Sequence, residues 1–479
     1  MDISIFKSIS DNIIDKLSNI ENYIKSVWEM PRSPIYENYV ITLDRISDIN
    51  IIQRIINHPN IKLQIKEWQD LGIIDNMFTI DDIIIDGMLT NEYKHLPIDT
   101  KYFKDLEYEI LSLFDDLDGL LDGWLIKSEN YQALNTILPK FKEKVQTIYI
   151  DPPFNKEQDA DYHYNVKYKN SSWATLLENR LPLAKECLNE KGSIFVRCDY
   201  NGNWIVRPLM NEIFGEENFR NEIGVRRFRK NVMEKEIKKL PEGIDTIYVY
   251  SSTEHFKYFY PYKRKDKQRK GFWRHMDDSS GQGTSKIFLG KELFPPDGKH
   301  WKYSQENIDQ RINDGTLILV CSNCGYQHHK ANGVWKGCPV CKEDKPIPKY
   351  WVEEQEDEVL DSNWTDLYGY STAWNFQTEN SEILLKRVIE STSNVGDLVL
   401  DFFLGSGTTT AVAHKLGRRW IGVEMGEHFY TVVLPRMKKV LFYDKSGISK
   451  EKDVQEKYNK ENAGGFFKYY ELEQFENVL

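Results

Sequence analysis

Residues 146–155 read Gln-Thr-Ile-Tyr-Ile-Asp-Pro-Pro-Phe-Asn, and this segment indicates the fold of the chain. Its apolar, β-branched first half predicts a buried strand. The two prolines end that strand, because they cannot extend a hydrogen-bonded ladder or enter a helix there. Asp151 is therefore expected at the carboxyl end of a strand, where open α/β sheets hold their ligands.

The residues that follow this strand predict a catalytic pocket. Pro152 and Pro153 stiffen the backbone, so the Pro152 carbonyl and the Asp151 carboxylate become two fixed hydrogen-bond acceptors. Phe154 adds a flat apolar face. These three features suit a planar group that carries an NH2, such as the amine of a nucleobase taken out of its stack.

Strand and helix patterns alternate on both sides of this stretch and predict an α/β fold with a largely parallel, Rossmann-like sheet. A region of different composition, rich in aromatics, lysines and glycines, interrupts the alternation. The predicted parts are a helical accessory domain at 1–120, the first part of the sheet domain at 121–255, an inserted region at 256–365, the second part of the sheet domain at 366–445 and a C-terminal tail at 446–479.

Composition and charge narrow the class of protein. The 479 residues contain no apolar run of about 18 residues, so no membrane span is expected. The first residues lack a basic segment followed by an apolar core, which predicts a cytoplasmic location. The net charge of −11 does not by itself indicate a nucleic-acid partner. Basic residues are nevertheless dense at 226–239 and 263–274. These segments are interpreted either as a phosphate-contacting surface or as a solvated basic loop.

Four of the six cysteines, Cys321, Cys324, Cys338 and Cys341, form two Cys-x2-Cys pairs inside the predicted insertion. This spacing is typical of a structural Zn2+ site with four thiolate ligands. Two disulfides, or four free thiols, are the alternatives, and a reducing compartment disfavours disulfides.

A second constellation lies at residues 398–424, where an apolar strand, a glycine turn, a helix and a second strand ending in Glu424 follow one another. Such a unit is typical of nucleotide binding, with Gly405 and Gly407 allowing close approach of a ligand and Glu424 accepting ribose hydroxyls. The turn lacks the lysine of a phosphate-binding loop, which disfavours a triphosphate. The alternative is that the glycines are required only for a tight turn.

Together the Asp-Pro-Pro-Phe motif at 151–154 and the Asp-Phe-Phe-Leu-Gly-Ser-Gly-Thr-Thr motif at 401–409 resemble the DNA amino-methyltransferases that use S-adenosylmethionine. The catalytic motif comes before the cofactor motif, which resembles the permuted β class. The chain is also similar to the modification subunits of type III restriction-modification systems. That similarity rests on further segments at 125–130, 171–173, 179–181, 214–219, 376–380 and 421–424.

This resemblance implies an adenine-N6 methyltransferase whose catalytic residues are Asp151, Pro152, Pro153 and Phe154. Asp151 and the Pro152 carbonyl would accept hydrogen bonds from the target amine, and Phe154 would stack on the flipped base. The implied S-adenosylmethionine-binding residues are Glu129, Asn130, Thr378, Asp401, Phe402, Gly405, Ser406, Gly407, Thr408 and Glu424. The family often has Gly-Asp where this chain has Ser128 and Glu129, and often tyrosine at the place of Phe154.

The implied partners are double-stranded DNA, a restriction or helicase subunit and a second copy of the chain. The inserted region would recognise the target, or would only be a zinc-stabilised structural module. The alternatives within the same chemistry are N4-cytosine and RNA-adenine methylation. A hypothesis of a different class is a catalytically silent DNA-binding subunit. A further hypothesis is that the helical N-terminus docks a partner such as a restriction helicase.

Overall fold

The computed structural model of the chain describes residues 3–153, 169–227, 242–279, 281, 283–374, 376 and 378–474. At 3–12, 263–269 and 355–357 it describes the backbone alone. The chain divides into two compact units, one formed by residues 1–261 with 361–479 and the other by residues 262–360.

The first unit is built on an 11-stranded mixed sheet. Strands are numbered in chain order, and from one edge to the other the sheet consists of β20 (Asn363–Tyr368), β8 (Phe219–Arg226), β9 (Ile244–Ser251), β7 (Leu188–Cys198), β6 (Val145–Ile150), β21 (Leu398–Asp401), β22 (Arg419–Glu424), β5 (Gly123–Lys127), β23 (Phe466–Leu472), β1 (Pro34–Thr42) and β4 (Pro97–Asp99). A separate hairpin pairs β2 (Ile84–Ile85) with β3 (Met88–Leu89).

The middle of this sheet is parallel. The strands β7, β6, β21, β22, β5 and β23 run in one direction, and antiparallel pairs occur only towards the two edges among the described strands. Side chains on both faces of β6 are buried, as expected for a parallel strand covered by helices on each side. The carboxyl ends of β6 and β21 therefore lie side by side.

Helices connect many of these strands. They are α1 (Ile3–Glu29), α2 (Ile49–Ile56), α3 (Ile61–Asp70), α4 (Lys104–Leu111), α5 (Leu117–Leu120), α6 (Asn130–Phe141), α7 (Asn170–Cys187), α8 (Asn203–Phe214), α10 (Glu382–Thr392), α11 (Thr408–Lys415), α12 (Leu434–Phe442) and α13 (Lys452–Gln455), with α9 (Gln305–Asn313) in the second unit. Two large clusters of buried apolar side chains line this sheet.

The prediction of a separate helical domain at residues 1–120 is wrong. The strand β1 pairs with β23 and β4, so this part of the chain extends the main sheet and belongs to the first unit. The run Tyr-Val-Ile-Thr at 39–42 has the β-branched and aromatic character of a strand. Its pairing partner lies more than 400 residues away, and local periodicity carries no information about such a partner.

The prediction of a C-terminal tail at residues 446–479 is also wrong. Strand β23 (Phe466–Leu472) lies inside the sheet, parallel to β5 on one side and antiparallel to β1 on the other. Its aromatic residues are buried, with Phe467 fully inaccessible to solvent. The tail therefore joins the N-terminal strands to the rest of the sheet.

The second unit consists of short antiparallel sheets and one helix. Its strands are β10 (Tyr262–Arg269), β11 (Phe272–His275), β12 (Asp277–Ser279), β13 (Lys286–Phe288), β14 (Lys291–Leu293), β15 (Lys299–Trp301), β16 (Leu317–Cys321), β17 (Gln327–His328), β18 (Pro346–Val352) and β19 (Gln355–Val359). It has a small core of its own, which includes Phe288, Trp301 and Ile308. An independent core is expected for a module of about a hundred residues.

Among the described helices, none combines the length and the apolar character that crossing a bilayer requires.

Candidate active site

A cavity of about 260 Å³ lies at the carboxyl ends of the central parallel strands. Strand β6 leads into Asp151, and its neighbour β21 ends at Asp401. The cavity is lined by Ser128, Glu129, Asn130, Asp151, Pro152, Pro153, Leu176, Arg180, Thr378, Asn380, Phe402, Phe403, Leu404, Gly405, Ser406, Val423, Glu424, Met425 and Gly426. The structure thus brings together residues of both predicted motifs in one crevice.

The Asp151 carboxylate is the acidic group at one end of this cavity. Its side chain is only 8% exposed. Burial raises the pKa of Asp151 to about 6, although the nearby Arg197 guanidinium acts in the opposite direction. One oxygen, Oδ2, accepts a hydrogen bond of 3.1 Å from Asn380 Nδ2. The other, Oδ1, is buried without a hydrogen-bond partner among the described residues, so it is an acceptor available to a ligand.

Asn380 is held so that its amide donates to Asp151. Its Oδ1 accepts hydrogen bonds from the Tyr149 hydroxyl, at 2.8 Å, and from Arg197 Nη1, at 2.6 Å. Because both of these neighbours are donors, the oxygen of the Asn380 amide must face them and its NH2 group must face Asp151.

Arg197 lies on β7 and is fully buried. It donates to the Gly369 carbonyl at 2.9 Å and to Asp245 Oδ2 at 2.7 Å, and its guanidinium lies 3.9 Å from the centre of the Tyr370 ring. Nη1 lies 3.8 Å from Asp151 Oδ2. A buried cation thus stands between two buried carboxylates and fixes the electrostatic potential at Asp151.

The two prolines after Asp151 are held by a tryptophan. Trp173 on α7 is buried, and its indole N–H donates to the Pro153 carbonyl at 2.7 Å. Pro152 and Pro153 line the cavity. Phe154, which was predicted to stack on the base, lies outside the described residues.

The glycine turn after β21 contributes Gly405 and Ser406 to the lining of the cavity. Gly405 and Gly407 have φ values of +58° and +80°, which favour glycine. An added Cβ at Gly405 would meet only the Phe376 ring, at 3.7 Å, so the space beside this residue stays open for a ligand.

Glu424 binds the backbone of both adjacent turns. Its Oε2 accepts from the Gly405 N–H and its Oε1 from the Gly426 N–H, each at 2.8 Å. Each carboxylate oxygen has a second lone pair, so these bonds leave acceptor capacity for a ligand hydroxyl.

Three of the predicted cofactor residues, Asp401, Gly407 and Thr408, do not line the cavity. Asp401 accepts from the Phe403 N–H at 2.9 Å and from the Thr409 hydroxyl at 2.5 Å, so it holds the turn from behind. Burial raises the pKa of Asp401 to about 7. Thr408 accepts a hydrogen bond of 2.9 Å from the buried Arg436.

At the remaining wall, Asn130 and Glu129 are joined by Arg180. Asn130 Nδ2 donates to the Phe402 carbonyl at 2.8 Å, which links α6 to the strand end of β21. Arg180 hydrogen-bonds both the Asn130 amide oxygen and the Glu129 carboxylate. Ser406 and Thr378, also predicted to bind cofactor, line the cavity.

Sequence reasoning missed Trp173, Arg180, Arg197, Asp245 and Asn380 as site residues. A charged residue in the apolar strand β7 was the available signal for Arg197. Asn380 and Arg180 lie in segments that carry the family resemblance, and that position was the available signal for both.

The four cysteines of the insertion come together in the second unit. Their sulfurs all lie within 4.8 Å of one another, and the closest pairs are Cys321 with Cys341 at 3.5 Å and Cys324 with Cys338 at 3.4 Å. Four thiolates at about 2.3 Å from a tetrahedral Zn2+ would be about 3.8 Å apart, so these sulfurs fit a zinc ion. All four cysteines are free of disulfides.

Most side chains of the two predicted basic segments, 226–239 and 263–274, lie outside the part of the chain that the structure describes. Residues 228–241 lie outside the described part of the chain, and at 263–269 the backbone forms β10 while the side chains are outside the description.

Comparison with known proteins places the two motifs in a family. A family model described as "DNA methylase" matches residues 145–434, which is more than half of the chain. The probable type III restriction-modification enzyme HindVI Mod subunit of Haemophilus influenzae is 30% identical over 422 residues, covering 74% of this chain and 54% of the relative. The type II methyltransferase M.EcaI of Enterobacter cloacae is 29% identical, covering 64% of this chain and 67% of that protein.

The DNA adenine methyltransferase YhdJ of Escherichia coli is 34% identical over 128 residues, covering 26% of this chain and 35% of YhdJ. A solved structure of the M1.HpyAVI–SAM complex covers 66% of this chain and 98% of its own, with 14% identity and a TM-score of 0.34. The chain spans about half the length of the HindVI Mod subunit that it matches.

Proposed function

The chain belongs to the DNA methylase family, and on that premise we propose that it transfers a methyl group from S-adenosylmethionine to the N6 amine of a flipped adenine in double-stranded DNA. One observation carries the proposal. A buried carboxylate with an unpartnered oxygen, Asp151, and an open glycine turn, Gly405, line the same cavity. A methyl acceptor and a methyl donor must meet in one such space.

The residues present fit a nucleoside-containing donor. Gly405 leaves open space, Glu424 retains acceptor capacity for hydroxyl groups, and Phe402 and Leu176 add apolar lining. Ser406, Thr378, Glu129 and Asn130 are further proposed contacts, whereas Asp401, Gly407 and Thr408 are proposed to shape the turn. S-Adenosylmethionine, when bound, supplies an electrophilic methyl group on a sulfonium.

The proposed role of the chain's own residues is to hold the amine in position. Asp151 Oδ1 and the Pro152 carbonyl accept hydrogen bonds from the adenine NH2, which aims the nitrogen lone pair into the cavity. Alignment and a preorganised charge supply most of the acceleration, since the methyl donor already carries a good leaving group. The proton that the amine loses passes to the Asp151 carboxylate or to water.

The choice of adenine rests on the initial aspartate of the Asp-Pro-Pro-Phe motif and on the similarity to YhdJ, a DNA adenine methyltransferase. The test is transfer of labelled methyl to unmethylated DNA, followed by nucleoside analysis. Label in N6-methyladenine is expected. Label in N4-methylcytosine would overturn the base assignment, and label in RNA alone would overturn the substrate. Absence of label with the donor bound would favour a silent DNA-binding subunit.

Methyl transfer should depend on pH through Asp151. The pKa of this group is raised to about 6, and its ionised form is the stronger hydrogen-bond acceptor for the amine. Activity is therefore expected to fall as the pH falls through about 6 and to level off above it. Asn380→Leu removes a hydrogen bond to the carboxylate, so the midpoint should move to higher pH. The matched control is Asn394→Leu at an exposed position, and equal midpoints for both variants would contradict this role of Asn380.

We propose that Cys321, Cys324, Cys338 and Cys341 bind one structural Zn2+. Metal analysis of the purified protein is expected to give one zinc per chain. Cys324→Ser should lose it, because three thiolates hold zinc less tightly than four. Cys187→Ala removes a buried thiol of the first unit and should retain the metal. Protein purified without zinc, or zinc retained in Cys324→Ser, would count against the site.

We further propose that the second unit, residues 262–360, recognises the target sequence. We also propose that the sheet has the permuted methyltransferase arrangement, in which β6 precedes β21 along the chain.

A restriction subunit is the proposed protein partner, because the relative in Haemophilus influenzae is a Mod subunit of a type III enzyme. If the chain does not co-purify with a co-expressed restriction subunit from the same source, the proposal of this partner is wrong.

A further inference from the structure

Helix α1 presents a stripe of apolar side chains to solvent. Ile13, Leu17, Ile20 and Ile24 are 53%, 60%, 56% and 48% exposed. The described contacts that attach α1 to the rest of the unit lie at its last turn, where Arg32 donates to the Val27 carbonyl and the Tyr131 hydroxyl donates to Glu29. A continuous exposed apolar stripe of this kind is characteristic of an interaction surface.

The stripe follows a heptad repeat. Ile13, Leu17, Ile20, Ile24 and Val27 are separated alternately by four and three residues, which are the spacings of core positions a and d in a coiled coil. The outward b, c and f positions from residue 13 onward are all polar: Asp15, Ser18, Asn19, Asn22, Lys25, Ser26 and Glu29.

We propose that α1 forms a parallel, in-register coiled coil with α1 of a second copy of this chain. In that arrangement a g position faces the e position five residues later in the other helix. Lys16 is at g and Glu21 is at e, so opposite charges meet twice across the pair.

The charges also argue against the opposite orientation. An antiparallel pair brings g positions against g and e against e, which separates Lys16 from Glu21. This self-complementarity commits the surface to a second copy rather than to a different partner. It gives the predicted homodimer a location and does not depend on the proposed methyl transfer.

Sedimentation equilibrium of the full chain tests the interface. The unmodified protein should be a dimer at micromolar concentration. The double variant Leu17→Glu with Ile24→Glu should weaken dimerisation by more than about 100-fold, because four apolar side chains per dimer lose their burial. Ser18→Glu with Asn22→Glu adds the same charge on the outer face and should leave the dimer intact. Unchanged thermal unfolding of the sheet would exclude misfolding as the cause.

A charge exchange tests the orientation. Lys16→Glu alone and Glu21→Lys alone should each weaken the dimer, since each creates like-charged neighbours, and the double exchange should restore it. A monomeric unmodified protein would overturn the proposal, and so would a Leu17→Glu, Ile24→Glu variant that remains dimeric. Failure of the double exchange to restore the dimer would overturn the parallel register.

Discussion

Asp151→Ala is expected to reduce methyl transfer by about 10²–10³-fold, which is the usual loss when one preorganised hydrogen-bonding group is removed from a reacting centre. The variant loses the carboxylate oxygen that has no other partner among the described residues, so the amine would no longer be held in position. Binding of S-adenosylmethionine should change little, because the residues proposed to hold it, Gly405 and Glu424, are left intact. Labelled methyl transfer and equilibrium binding measure the two quantities separately.

The matched control for this variant is Asp453→Ala, which removes a carboxylate of the same unit that is 53% exposed and paired with Lys386. It should retain nearly full activity, because exposed ion pairs contribute little. Equal loss in both variants would indicate a general structural effect. Full activity of Asp151→Ala would contradict the assignment of Asp151 as the group that holds the amine.

Arg197→Met is expected to lower the free energy of unfolding by about 3–5 kcal/mol, because it removes the fully buried cation that pairs with Asp245 and leaves that carboxylate with only Arg227 as an ion-pair partner among the described residues. Asp245 and Arg197 are both fully buried and lie 2.7 Å apart. The variant should also raise the pKa of Asp151 further, because the guanidinium is the cation that favours its ionised form. Denaturant unfolding measures the first effect, and the pH dependence of methyl transfer measures the second.

Arg220→Met is the control for this substitution. Arg220 is half-buried and hydrogen-bonds the carbonyls of Glu217 and Thr253, so its loss should cost less than about 1 kcal/mol. If Asp245→Leu is added to Arg197→Met, part of the lost stability should return, since the added change removes a buried carboxylate whose remaining partner is the partly exposed Arg227, 3.2 Å away. If the two variants, Arg197→Met and Arg220→Met, have the same free energy of unfolding, the buried ion pair is not important for stability.

The position of Asp151 could be predicted from its neighbours in the chain. An apolar run that stops at an acid and two prolines has few structural solutions, and the glycine turn before a helix is similarly restricted by φ. The spacing of the cysteines carried the same kind of local information. In each case the signal lies within about twenty residues.

Asn380 and Arg197 could not be assigned a role in this way. Arg197 reaches Asp151 from a neighbouring strand, and Asn380 reaches it from a segment more than two hundred residues later in the chain. The strands β1 and β4 were missed for the same reason, since their place in the sheet depends on β23. A pattern within one segment cannot indicate which distant segment will satisfy its backbone hydrogen bonds.

The place of β23 has a consequence for biosynthesis. This strand lies between β5 and β1, so β1 cannot join the main sheet until residues 466–472, more than 400 positions later, have left the ribosome. Until then β5 and β1 present open edges, which are templates for pairing with other chains. Truncated or stalled nascent chains would expose both edges at once, and the cell would handle such fragments as clients of chaperones and proteases.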